Sequence, residues 1–186
     1  MVWGKEPRYF QSNWHILRRI ASAVPLVMTA KYISLEAIPP NVTNLGIVSQ
    51  VTRNQLLAES LFLIGLGDPV LGATPFEAIA SGAAYINPRY QTRKKLWQNS
   101  EYACTSQHTF AGELGAPYVH DYQEGDAESA MQAVRRVLSW NDGRGFAAYV
   151  PPQHSPAEVE RRLEESMQMR FVLDARGDCG EQTAKF

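Results

Sequence analysis

The stretch LFLIGLGDPVLGATPFEAIASGAAYINPR, from Leu61 to Arg89, does most to limit what this chain can fold into. LFLIGLG is almost continuously apolar, the pattern of a parallel strand covered on both faces. Thr74-Pro75-Phe76-Glu77 then carries the grammar of a helix start: a threonine cap, a proline in the first turn and a glutamate that completes a capping box. Gly82 is placed to end that helix, and AAYINP returns as a strand. A strand, a loop, a helix and a second strand in so short a span predict a right-handed βαβ unit with parallel strands.

The rest of the chain continues the alternation. MVWGK predicts an opening strand, and Phe10, Trp14, Leu17, Ile20 and Val24 then recur at helical spacing. VPLVMTAKY (Val24 to Tyr32) predicts a strand. IPPN (Ile38 to Asn41) predicts a loop, since paired prolines remove donors and fix the backbone. LGIVSQ predicts a short strand leading to Thr52, which caps a helix over RNQLLAES with Gln55 at its third position. No period is visible from Tyr90 to Gly115, so this span reads as a long loop with short helical pieces. APYVHDY is the next predicted strand, and Ala130, Val134, Val137 and Leu138 mark the helix after it. Ser155-Pro156-Ala157-Glu158 repeats the cap, proline and box before Val159, Leu163 and Met167. The expected fold is α/β: a Rossmann-like, mostly parallel sheet with helices on both faces over residues 1–169. A polar, mobile tail is expected over 170–186.

Composition narrows the function classes. A chain of 186 residues with 45% hydrophobic and 20% charged residues supports one domain with a real core. Its formal net charge of -1 argues against an electrostatic nucleic-acid surface. No apolar run approaches the ~18 residues that cross a bilayer, and the N-terminus has no signal-peptide pattern, so the chain reads as soluble with no membrane contact of its own. Cys104 and Cys179 form no CxxC and no metal spacing, although an oxidising compartment would let them pair. Asn41-Val42-Thr43 fits a glycosylation sequon. His15, His120 and His154 have no partners by spacing, and no metal site is readable.

In sheets of this kind ligands bind outside the carboxyl ends of the strands. The loop from Gly65 to Thr74 lies at such an end, before a helix start whose N–H groups suit a phosphate. Two familiar cradles do not fit. GLGDPV has Val70 where the dinucleotide fingerprint needs glycine, and Ala73-Thr74-Pro75 stands where a P-loop needs Gly-Lys-Ser/Thr. Neither NAD(P) nor ATP is favoured. Gly65, Gly67 and Gly72 either admit a ligand to the backbone or serve turn geometry alone.

GLGDPVLGATPFEAIASGAAYINPR resembles the donor-site segment of the alpha-1,6-mannosylglycoprotein 6-beta-N-acetylglucosaminyltransferases, the N-acetylglucosaminyltransferase V family. WGK (Trp3 to Lys5), NLGIVS (Asn44 to Ser49) and TSQH (Thr105 to His108) resemble the same family in the same order, and the likeness covers roughly residues 1 to 170. The resemblance implies the C-terminal half of a GT-B glycosyltransferase, in which two Rossmann-like domains face a cleft. It implies UDP-N-acetylglucosamine as donor substrate, no other cofactor, transfer with inversion, and the mannose of a glycoprotein N-glycan as acceptor. It places the working enzyme in the Golgi lumen, anchored through a segment absent from this chain, and supplies the general base from the missing N-terminal domain. Alone, this chain is expected to transfer nothing.

On that reading the donor contacts are Gly65, Gly67, Gly72, Thr74, Glu77, Asn87 and Arg89. Glu77 takes the ribose hydroxyls, and Arg89, where the family tends to carry lysine, pairs with phosphate oxygens. Lys5, Gln107 and His108 line the donor or acceptor side, with Arg93 and Lys94 as further cations. For His108 a structural hydrogen bond competes with that role. The sequence has no Asp-x-Asp metal motif, so the charge on leaving UDP falls on backbone N–H groups and cations. Asp68, Val70 and Leu71 depart from the family's loop. That departure motivates two alternatives: a non-catalytic nucleotide-sugar-binding or interaction module, and a GT-B transferase with another donor.

Overall fold

The computed structural model describes residues 1–3, 8–31, 33, 37–95, 103–140 and 146–175. The chain divides into two compact units, Met1–Tyr149 and Val150–Phe186.

The first unit is one sheet between two layers of helices. Its strands are β1 (Val2–Trp3), β2 (Leu26–Thr29), β3 (Val42–Asn44), β4 (Phe62–Ile64), β5 (Ala84–Lys95), β6 (Ala103–Ser106) and β7 (Val119–Gln123). Its helices are α1 (Arg8–Gln11), α2 (Trp14–Ala21), α3 (Gln50–Ala58), α4 (Thr74–Ala80), α5 (Thr109–Gly112) and α6 (Ala127–Ser139). The parallel strands run in the order β3-β2-β1-β4-β5-β7. This is the doubly wound order of Rossmann sheets, with its reversal point between β1 and β4.

Period-two alternation sends side chains to two cores. Ile64 and Ile86 face Ile16, Leu17 and Ile20 of α2 and Val134 and Val137 of α6. Leu63 and Tyr85, one residue off, face Leu57 of α3, Ile79 of α4 and Ala111 of α5. Each fully buried aliphatic side chain contributes roughly 1.5–3 kcal/mol, which is why the two-faced strand β4 anchors both layers.

β6 is the departure from a plain Rossmann sheet. It pairs antiparallel with the far half of β5, with Arg89 opposite Ser106 and Lys95 opposite Ala103. Arg89 is also opposite Gln123 of β7, so β6 lies on the edge of β5 that β4 occupies lower down. β4 and β6 therefore meet end to end in one column. The chain leaving β4 at Gly65 has to turn out of the sheet there, and Gln107 arrives at the same junction.

Several local expectations need correction. β3 falls on Val42–Asn44 rather than on LGIVSQ, because the pairing with β2 sets Leu26 opposite Val42 and Met28 opposite Asn44. Ser49, not Thr52, caps α3: its side chain accepts from Thr52 N, so the helix starts at Gln50. Thr74 is the first residue of α4 rather than its cap, Ala73 precedes it in helical conformation, and no side-chain cap bond forms. The span from Tyr90 is not a loop, since β5 runs on to Lys95 and β6 and α5 follow. Its exposed, polar residues show no period because the partner strand, not burial, holds them. The single helix expected from Phe10 onward is two, broken at Ser12 and Asn13.

Gly82 ends α4 as its position predicts, at φ +89, where an added Cβ would lie 2.8 Å from Phe146 O. In the second unit Ser155 Oγ accepts from Glu158 N, and α7 (Pro156–Ala175) runs unbroken across residue 170. Residues 176–186, including Cys179, lie outside the described residues, while Cys104 is buried. No helix among the described residues is long and apolar enough to cross a membrane.

Candidate functional site

The loop between β4 and α4 leaves the carboxyl edge of the sheet beside the reversal point, and its backbone is held by side chains from elsewhere. Tyr122 Oη donates to Gly65 O at 2.8 Å, Asn13 Nδ2 to Leu66 O at 3.1 Å and Tyr90 Oη to Gly67 O at 2.8 Å. Gln107 Nε2 donates to Pro69 O at 3.0 Å, and Gln107 Oε1 accepts from Gly67 N at 3.0 Å and Tyr85 Oη at 3.2 Å. Leu71 N donates to Gln107 O at 2.9 Å. Leu71 is left-handed, at φ +57. That conformation costs a side-chain-bearing residue roughly 1–2 kcal/mol, comparable with the ~1 kcal/mol of one hydrogen bond.

Burial keeps these donors protonated. It pushes the hydroxyls of Tyr85, Tyr90 and Tyr122 above the ordinary tyrosine range, with neighbouring carboxylates and tyrosines adding to the shift. Asn13 is a trade: it stands at the N-cap position of α2 but makes no cap bond, and its amide holds the loop instead.

A cavity of about 230 Å³ opens between this loop and its neighbours, lined by Arg8, Ser12, Asn13, Leu66, Asp68, Glu124 and Gly125. It combines one cation, two acids and neutral polar groups. Glu124 is braced by Lys94, whose Nζ lies 2.7 Å from its Oε1 and 4.1 Å from the Tyr90 ring centroid.

The glycines divide by role. A Cβ on Gly65 would overlap Gln107 Oε1 and lie 2.5 Å from Tyr85 Oη and 2.9 Å from Pro88 Cδ. Gly67, at φ +100, lies against the Glu124 carboxylate. Gly72 is open: a Cβ there would meet nothing closer than Pro69 Cγ at 4.0 Å.

A second chain of contacts runs from the same junction to the surface. His108 N donates to the buried Asn87 Oδ1 at 3.1 Å, and Asn87 Nδ2 donates to Asp121 Oδ1 at 3.0 Å. Asp121 Oδ2 lies 3.4 Å from Nη1 of Arg89, whose side chain is 58% exposed. His108 Nδ1 accepts from Ala111 N at 3.0 Å, the structural bond that competes with a ligand role, and its ring packs edge-on to Phe76 at 4.9 Å. Gly65, Gly67, Gln107, His108, Asn87 and Arg89 thus belong to one connected network.

The other candidates stand apart from it. Glu77 pairs across helices with Arg53 of α3, the guanidinium 8% and the carboxylate side chain 38% exposed. Thr74 is half-buried at the start of α4, and Lys5 lies outside the described residues. Sequence reasoning missed Asn13, Arg53, Tyr85, Tyr90, Asp121, Tyr122 and Glu124. Only Ser12-Asn13 carried a local signal, two turn-forming residues inside a helical period; the tyrosines read as core until strand pairing aims their hydroxyls. Among the described residues no group of three or more His, Cys, Asp or Glu side chains comes together as a metal site.

Comparison with known proteins places this chain in a family. The alpha-1,6-mannosylglycoprotein 6-beta-N-acetylglucosaminyltransferase A of Homo sapiens is 30% identical over 148 residues, which cover 75% of this chain and 20% of that protein. The Caenorhabditis elegans enzyme of the same name without the suffix is 25% identical over 186 residues, 94% of this chain and 27% of that protein. The Mus musculus B form is 31% identical over 134 residues, 68% of this chain and 16% of that protein. The chain spans about a fifth of the length of the A forms and about a quarter of the Caenorhabditis elegans protein. The family model described as glycosyltransferase family 18 matches residues 1–177, and this chain belongs to that family.

Proposed function

We propose that this chain is the donor-binding domain of an inverting N-acetylglucosaminyltransferase, the C-terminal half of a GT-B enzyme, with UDP-N-acetylglucosamine as donor and an N-glycan mannose as acceptor. The observation that carries the reading is the glycine loop. In a member of glycosyltransferase family 18, it is held open at the reversal point of a Rossmann-like sheet, beside a polar cavity. Ligands of such sheets bind at that point.

Each group then has a task. Arg89 meets the diphosphate, its exposed guanidinium tied to Asp121 only by a long contact. Glu77 accepts the ribose hydroxyls, with Arg53 fixing the carboxylate in place. Gly72, whose Cα faces open space, lets the loop backbone approach the donor. Negative charge developing on leaving UDP falls on backbone N–H groups and these cations, with no cofactor or metal in the scheme. The general base that deprotonates the mannose hydroxyl comes from the partner domain, so this chain alone transfers nothing. The complete enzyme works in the Golgi lumen.

Calorimetric titration of UDP and UDP-N-acetylglucosamine into the 186-residue chain tests this. Saturable binding is expected, weakened about tenfold, or ~1.4 kcal/mol, by Glu77→Gln and by Arg89→Ala. Glutamine is chosen because its amide oxygen can still accept a hydrogen bond from the Arg53 guanidinium. A folded wild-type chain that does not bind UDP would overturn the reading of this segment as a self-sufficient donor site.

A further inference from the structure

We infer that Gln107 sets the shape of the glycine loop and acts on the donor through the loop's backbone, without touching the donor itself. The inference rests on the donor-site reading above and assigns Gln107 a positioning role in it.

The geometry concentrates on this residue. Its backbone N donates to Pro88 O at 2.9 Å and its backbone O accepts from Leu71 N at 2.9 Å. Its Oε1 takes two hydrogen bonds, from Gly67 N at 3.0 Å and Tyr85 Oη at 3.2 Å, filling both lone pairs of an amide oxygen. Its Nε2 donates to Pro69 O at 3.0 Å. One residue thereby fixes loop positions 67, 69 and 71 against Tyr85 and Pro88 of β5. Gly65 leaves the space that its Oε1 fills.

Gln107 is buried, with its oxygen fully engaged, so the surface it offers a ligand is small. Its leverage is large, because the loop conformation it imposes includes the left-handed Leu71 immediately before the open Gly72. Without the Gln107 side chain, nothing among the described contacts holds Gly67 N or Pro69 O, and the left-handed Leu71 keeps only its bond to the main-chain O of residue 107.

Gln107→Met keeps the length and removes all three side-chain bonds. Gln107→Glu keeps an acceptor for Gly67 N and Tyr85 Oη; burial beside Pro69 O favours its protonated carboxyl, whose O–H still donates there at the cost of taking up a proton. UDP affinity of the 186-residue chain, by calorimetry, is expected to fall at least tenfold in Met and to lie between Met and wild type in Glu. Amide exchange at Gly67 is expected to accelerate at least tenfold in Met and less in Glu. A merely structural role would lower thermal stability in both variants without this graded order in affinity.

Unchanged UDP affinity and unchanged Gly67 exchange in a folded Met variant would overturn the inference. Should the Met variant not fold, Tyr85→Phe, which removes one of the two donors to Oε1, and Gln107→Glu carry the test; wild-type affinity in both would overturn it equally. If wild type itself does not bind UDP, the donor reading fails, and the exchange result alone decides whether Gln107 shapes the loop.

Discussion

Two glycine-bearing loops leave the carboxyl edge of the same sheet, and they are held by opposite means. The loop after β3 depends on the residue that opens it: Asn44 Oδ1 accepts from Ala30 N at 3.0 Å and Gly46 N at 3.1 Å, and its Nδ2 donates to Ala30 O at 2.9 Å. Beyond that anchor the loop faces outward, with Ile47 67% exposed and nothing within 4 Å of a Cβ on Gly46. The loop after β4 has no such local anchor. Tyr122, Asn13, Tyr90 and Gln107 reach it from β7, the α1–α2 break, β5 and the end of β6. A loop held by its own asparagine can shift without disturbing the core. One held from four directions moves only if the core moves, the rigidity that a binding backbone needs.

The sharpest way to break this comparison is to place the same methyl group in both loops. Gly65→Ala drives a Cβ into Gln107 and Tyr85 and is expected to cost about 3 kcal/mol or more. Gly46→Ala enters open space and carries only the strain of φ +67, about 1 kcal/mol. Urea denaturation of the two variants measures the difference, and equal losses would mean the loop after β4 is no more tightly held than the loop after β3.

A smaller effect separates the tyrosine donors by pH. Burial raises the folded pKa of Tyr122 above its ordinary value of about 10. Above pH 10 the unfolded chain therefore loses protons that the folded chain keeps, and stability falls as pH rises; below pH 10 it is flat with respect to this group. Tyr122→Phe is expected to lose about 1 kcal/mol at pH 7 with its bond to Gly65 O, and to show a shallower decline above pH 10. Denaturation midpoints from pH 8 to 11 compare the two slopes, and identical slopes would contradict the buried-donor account.

The smallest expected stability change is the most informative about function. Gly72→Ala meets nothing closer than 4.0 Å and is expected to leave stability within about 0.5 kcal/mol of wild type. If the loop backbone lies against a nucleotide there, UDP affinity falls about tenfold in a protein of unchanged stability. Unchanged affinity would move the ligand away from this end of the loop.

The layered α/β fold was legible because its signals are local. LFLIGLG is apolar without a break, Gly82 follows a helical period, and Ser155 precedes Pro156 with Glu158 three residues on. The candidate site was legible in part. The glycines, Asn87, Arg89, Gln107 and His108 carried signals in short motifs, and folding brings most of them into one network. Helix starts were less secure, since Thr52 and Thr74 satisfy the same capping grammar as Ser49 and only packing selects among them.

By itself, the sequence determined the alternation of strands and helices, the loop's place at a strand's carboxyl end, and its likeness to a transferase family. The first two follow from periodicity and composition within a few residues of chain, and the likeness from the resemblance of short motifs to that family's. Only the tertiary structure decided that β6 comes down on the end of β4, that three tyrosine hydroxyls and two amides converge on the loop, and that Gly65 serves packing while Gly72 stays open. Those facts depend on contacts between residues 20 to 60 positions apart, as from Tyr85 to Gln107 or Gly65 to Tyr122. Such contacts come into being only when the sheet order sets the register between strands.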